Sequence, residues 1–285
     1  YNDDKDFPDD EGYQVYIKQG GKLSRGDWRR EAVNQFVKRV YEGIKKEKPY
    51  VLFGISPFGI WRPGFPPSIK GFDQFDQLYA DVRLWTHKGW LDYLAPQLYW
   101  PINQISQSYP ILLNWWHEKN LQKKHIWPGI SVAHKDSLIM IDEAINKIMI
   151  ARGMNAKDAG VLHWSIAPHM KSDTLVRALQ KGPYSKPALI PRSQWIDKKA
   201  PTTPSVNIEK MEKGINLKWS HPEKENLSRV IVYKKYGTTW EYTIVPIENE
   251  TIFITNTTSN DLKEVRLQVV DKAGNESLVV PYIIH

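Results

Sequence analysis

Four apolar runs end in residues able to hold a polar ring-shaped ligand. The first runs into Ser56-Pro57-Phe58-Gly59-Ile60-Trp61-Arg62, the second into Gln97-Leu98-Tyr99-Trp100, the third into Ser131-Val132-Ala133-His134, and the fourth contains His163-Trp164-Ser165. Trp and Tyr offer flat apolar faces with polar edges, which stack on the C–H faces of sugar rings, while Arg and Gln hydrogen-bond hydroxyls. Carbohydrate is therefore the ligand class these residues suit. Ser56, Phe58, Trp61, Arg62, Gln97, Tyr99, Trp100, His163 and Trp164 are the candidate binding residues. Trp61, Trp100 and Trp164 fit packing and stacking alike, whereas Trp85, Trp90, Trp115, Trp116 and Trp127 read as packing between helices and strands. His163, inside an apolar strand, also reads as a satisfied core imidazole.

Other chemistries have less support. The chain has no cysteine, so disulfides, thiol nucleophiles and cysteine metal sites are excluded. No HExxH, P-loop or Gly-x-Gly-x-x-Gly occurs, and neither a metal nor a cofactor is expected. The acids Asp3, Asp4, Asp6, Asp9, Asp10 and Glu11 lack calcium-loop spacing and read as a solvated loop. With 39 basic and 32 acidic residues the formal charge is +7, but the basic pairs Lys45-Lys46, Lys123-Lys124 and Lys234-Lys235 are scattered and read as solvated surface. A nucleic-acid partner is not expected. No run approaches the roughly 20 apolar residues of a membrane-spanning helix.

The elements that carry these residues are legible in the periodicity. Ser24 to Asp27 has the form of a capping box, and Val33, Phe36, Val37, Val40, Tyr41 and Ile44 follow at helical spacing. The apolar run 50–55, the run 93–98, the run 126–132 and the run 160–165 read as buried strands. Helices around 75–88, 111–117 and 138–152 separate them, giving parallel β/α units. In such sheets ligands bind at the carboxyl ends of the strands. After a seam at 183–204 holding Pro183, Pro187, Pro191, Pro201 and Pro204, which predicts an extended connector, short alternating strands with turns indicate an all-β sandwich. About 80 residues long, with Trp219, Tyr233 and the 271–277 turn, it resembles a fibronectin type III-like module. The domains expected are thus 1–190, a 191–203 linker and 204–285.

The segments Gly54-Ile55-Ser56-Pro57-Phe58-Gly59-Ile60-Trp61-Arg62-Pro63-Gly64, Gly89 to Trp100, and Asp27-Trp28-Arg29-Arg30 closely resemble glycosyl hydrolase-like family 10. The resemblance implies a (β/α)₈ TIM-type barrel, a bacterial cell-envelope location, periplasmic or surface-exposed, and in some members hydrolysis of peptide-free peptidoglycan strands. A barrel needs eight strands, and four precede the seam, so the chain reads as the second half of one. That half is expected to associate with the missing barrel half or with another chain. Glycoside hydrolysis usually uses two carboxyl groups flanking the bond, and none stands at the four strand ends. Asp92 lies at the opposite, stability-bearing end of its strand. The family pattern places the acids before Tyr1, so no catalytic residue is assigned here. The expected partner is a polysaccharide or oligosaccharide, with a non-catalytic glycan-binding or adhesion protein as the alternative.

Overall fold

The computed structural model describes residues 6–132, 137–256 and 261–284. The chain divides into two compact units, with the break between Val176 and Arg177.

The first unit opens on α1 (Asp10–Lys18) and α2 (Arg25–Glu47). Ser24 starts α2 as the sequence predicts: its hydroxyl accepts the Asp27 amide at 3.1 Å and donates to the Asp27 carboxylate at 2.7 Å. This satisfies a helix-end amide that would otherwise lack a partner. Of the acids read as a solvated loop, Asp10 and Glu11 open α1, Asp6 and Asp9 are ion-paired, and Asp3 and Asp4 lie outside the described residues. Asp9 pairs with Arg25 and, at 2.8 Å, with Arg29, which also takes Asp6 at 2.7 Å. Arg29 is itself buried. These hydrogen bonds hold the Asp9 and Asp6 carboxyls below the usual carboxylate range. A depressed folded pKa contributes stability above the unfolded value, about 3.9, and loses it as pH falls below that. We therefore expect thermal stability to decline below about pH 4, and Asp9→Asn to flatten that decline. Identical pH profiles for the two proteins in calorimetry would refute the assignment.

Next come β1 (Gly54–Ile55), α3 (Gln74–Gln77), α4 (Val82–Lys88), β2 (Tyr93–Leu94), α5 (Tyr109–Lys119), β3 (His125–Ile126), β4 (Gly129–Ser131), α6 (Leu138–Met154), β5 (Leu162–Trp164) and α7 (Ile166–Lys171). The expected second helix is two short ones, α3 and α4. All pairings among these strands are parallel: β1 with β2, β2 with β3, and β4 with β5. Strands β3 and β4 continue one another beside β2, since Trp127 and Gly129 donate to the Leu94 and Pro96 carbonyls. Pro128, which has no N–H to give, interrupts the ladder between them.

The register sorts the side chains onto two faces, because successive residues of a strand point oppositely. Leu94, Leu98, Ile130 and Val132 share one face and are buried. The apolar core with Leu112, Leu113 and Trp116 of α5 lies there. On the other face Gly54 lies beneath the Tyr93 ring, where a Cβ would come within 2.2 Å of ring atoms. Tyr93, Trp127 and His125 form a ring column along it, at 5.0 and 4.7 Å.

Helix α8 (Asp173–Lys181) spans the break between units. In the second unit β6 (Ser205–Met211), β7 (Gly214–Ser220), β8 (Leu227–Tyr236), β9 (Thr239–Pro246), β10 (Thr251–Thr255), β11 (Leu262–Asp271) and β12 (Val280–Ile283) form two antiparallel sheets, ordered β10-β7-β6 and β12-β11-β8-β9. Leu217, Trp219, Val230, Val232, Val265 and Leu267 fill its core. The proline seam carries neither helix nor strand and is tied to this unit by hydrogen bonds. Ser193 N–H donates to the Ala273 carbonyl at 2.7 Å, Arg192 to Asn275 at 2.8 Å, and the Tyr242 hydroxyl to the Pro187 carbonyl at 2.6 Å.

Candidate functional site

At the carboxyl ends of the strands the open face of the sheet becomes polar and aromatic. The bridges Phe58↔Gln97 and Gln97↔Gly129 extend the ladder past β1 and β2. Alternation then places Ser56, Phe58, Gln97, Tyr99, Ser131 and Trp164 together on that face. Gln97 Nε2 donates to the Ser56 carbonyl at 3.0 Å, fixing the amide. Phe58, 41% exposed, lies against Phe72 with ring centres 4.8 Å apart. Tyr99 stacks near Trp164 at 6.4 Å and 25°, and Trp164 is 61% exposed. Burial raises the Tyr99 hydroxyl above its ordinary value, so it stays protonated at neutral pH.

The backbone under these side chains is held from two sides. Gly59 is required there, since a Cβ would stand 2.5 Å from the Gln97 carbonyl oxygen. From α6, Lys147 donates to the Tyr99 carbonyl at 3.4 Å, and Glu143 accepts the Ile102 amide at 2.6 Å. The two form an ion pair at 3.6 Å with the ammonium nearly fully buried. Desolvation lowers the Lys147 pKa, and the Glu143 charge opposes that shift.

Four predicted residues stand elsewhere, each for a physical reason. Trp61 is 6% exposed and packs against Phe65, Phe75 and Trp115, with the Arg83 guanidinium 4.3 Å from its ring centre. It is a packing residue. Arg62 is committed to Asp73 at 3.0 Å and Asp76 at 2.6 Å, which occupy its fork. Trp100 follows Tyr99 by one residue and so turns the other way, its ring set against Gly59. His163 pairs in register with Ile130, on the face opposite Trp164. Its Nδ1 lies 2.9 Å from His169 Nε2 on α7, and His169 Nδ1 lies 3.1 Å from the Ser165 carbonyl. A carbonyl only accepts, so His169 Nδ1 donates to it and His169 Nε2 accepts from His163. Burial, and secondarily His169, pull the His163 pKa down to about 4. Ala133 and His134 lie outside the described residues.

Phe72 joins the face although no spacing in the sequence singles it out. Among the described residues this face carries no carboxylate, and no group of three or more His, Cys, Asp or Glu could hold a metal. No described helix is long and apolar enough to cross a membrane. The arrangement offers ring faces for stacking and hydroxyl and amide groups for hydrogen bonding.

Comparison with known proteins meets the same motifs. The model of the family described as Glycosyl hydrolase-like 10 matches residues 1–144. Glycosyl hydrolase YngK of Bacillus subtilis strain 168 is 34% identical over 247 residues, covering 81% of this chain and 48% of that protein. Glycosyl hydrolase DigH of Escherichia coli strain K12 is 41% identical over 108 residues, 36% of this chain and 25% of that protein. The chain thus spans about half, or less, of the curated relatives it matches. The matched residues contain Asp27–Arg30, the loop after β1 and the whole of β2 with Gln97 and Tyr99, so the chain belongs to glycosyl hydrolase-like family 10.

Proposed function

We propose that this chain supplies the sugar-binding wall of a glycoside hydrolase, its first unit forming part of a (β/α)₈ barrel and its second a fibronectin type III-like module. The observation that carries the reading is the open strand-end face of Ser56, Phe58, Gln97, Tyr99 and Trp164. Parallel sheets are ordinarily covered on both faces, and here the helices pack one. The other is the face that the remaining strands of a barrel would enclose. The two carboxyl groups needed for hydrolysis then belong to the portion of the family length these residues do not span. The substrate proposed is a bacterial cell-envelope polysaccharide, with peptide-free peptidoglycan strands as the first candidate, and the location is the cell envelope. The absence of a carboxylate on the described part of the face favours a second reading, a glycan-binding protein without catalysis.

Binding is tested on the face itself. Trp164→Ala and Tyr99→Ala are each expected to weaken oligosaccharide binding by about 1 kcal/mol or more, with folding largely spared. Trp61→Ala should instead cost about 3–5 kcal/mol of stability, as expected for a large aromatic removed from a core. Calorimetric titration and thermal unfolding separate the two effects. Unchanged affinity in the Trp164 and Tyr99 variants would sink the sugar-wall reading.

A further inference from the structure

A second site in the first unit shares no lining residue with the strand-end face. It is a pocket of about 620 Å³ between the 64–67 turn and α5, lined by Phe65, Pro66, Pro110, Ile111, Trp115, Asn114 and Glu118 among others. Its volume is within the range of small-ligand sites, roughly 300–1,000 Å³. We propose that this pocket binds one or two neutral sugar units of a glycan, as an accessory site separate from the strand-end face. The proposal rests on the carbohydrate reading above and deepens it.

The pocket is built in advance. Gly64 takes the left-handed backbone, φ +81°, and its amide donates to the Ile69 carbonyl at 2.8 Å. The Ile69 amide returns a bond to Pro66, and Lys70 bonds Ser106. Beneath, Trp61 stacks on Trp115 at 5.9 Å and meets the edge of Phe65 at 5.2 Å. Buried Trp61 therefore acts as the support of this pocket. Phe65 is 46% exposed and presents ring surface to a ligand.

The polar side selects the ligand. Asn114 and Glu118 stand one helical turn apart, both exposed, with Asn114 Nδ2 donating to Glu118 Oε1 at 2.7 Å. That bond uses the amide N–H and one carboxylate oxygen, so the acceptors remaining on the pair are the amide oxygen and the second carboxylate oxygen. Sugar hydroxyls donate to such acceptors above an apolar ring face. A proline-rich peptide would suit the aromatic and proline walls, but its proline residues have no N–H to give these acceptors.

The test uses the full chain with isotope-labelled Ile and Leu methyl groups, titrated with chitotetraose and, separately, with a decaproline peptide. Ile111 reports the pocket and Leu162 the strand-end face. The expected result is a saturable Ile111 shift with chitotetraose that survives Trp164→Ala. Phe65→Ala and Asn114→Ala should each weaken it about fivefold or more. Asn114 lies on an exposed helix face, so its variant keeps the test sharp if Phe65→Ala disturbs the turn. Shifts at Leu162 alone would overturn the accessory site and leave the strand-end reading standing. Shifts at Ile111 alone would do the reverse. Silence at both would overturn both, and an Ile111 response to decaproline in place of chitotetraose would overturn the assignment of a sugar.

Discussion

Replacing Asp92 by alanine is expected to lower the unfolding free energy of the first unit by about 3–5 kcal/mol, the cost of breaking a buried ion pair from one side. Asp92 is fully buried at the amino end of β2. Its carboxylate accepts the Phe53 amide at 2.8 Å, pairs with Lys45 at 2.5 Å and lies 3.9 Å from Lys124. Burial lowers the Lys124 pKa to about 8, against the opposing pull of Asp92, and raises the Tyr41 hydroxyl to about 12. Without the carboxylate, the Lys45 and Lys124 ammonium groups would lose their shared counter-charge, and Lys124 has only 6% of its side chain exposed to water. Asp92→Asn should restore only part of the loss, because an amide oxygen can accept from Phe53 but brings no charge. Of the 12 tryptophans 9 lie in the first unit and 3 in the second, so intrinsic fluorescence in a urea titration follows chiefly the first unit. A loss below about 1 kcal/mol for Asp92→Ala would place this pair among surface interactions.

The second large effect is catalytic. This chain alone is expected to release no reducing ends from peptide-free glycan strands, whereas the whole protein turns them over. General acid and base groups contribute roughly 10²–10⁴-fold each to such a reaction. Among the described residues the strand-end face presents rings, hydroxyls and an amide, with no carboxylate. Stacking surfaces hold ground state and transition state about equally, so they lower the concentration of substrate needed without speeding bond cleavage. The assay compares reducing-end release by the two proteins at equal concentration on the same strands. Turnover by this chain would mean that its own acids perform the chemistry, with Asp73 and Asp76 beside Arg62 the first to replace by asparagine. Binding without turnover by the whole protein would instead establish the glycan-binding reading.

Local sequence determined much of the framework. The apolar runs became the parallel strands, the Ser24–Asp27 spacing became a helix start, and the alternation after residue 204 became antiparallel sheets. Short-range physics controls each of these, through caps, turn residues and hydrophobic period. One strand, β6, was not legible: in Ser205–Met211 no more than two apolar residues meet the core, and pairing along its length with β7 supplies the rest.

Tertiary structure decided the faces. His163 and Trp164 are neighbours in the chain, yet pairing with Ile130 and Ser131 sends one under a helix and the other into the open. A buried parallel strand reads as one apolar run, so its sequence does not say which alternate residues meet the helices. Long-range charge pairing was equally hidden. Lys45 and Lys124, separated by most of two β/α units, converge on Asp92, and Arg29 reaches Asp9 across a helix start. Arg62, which the loop seemed to present to a ligand, is held by acids 11 and 14 residues onward. Such partners are chosen by folding, because a charge taken out of water is tolerated only where the packed chain brings another to meet it.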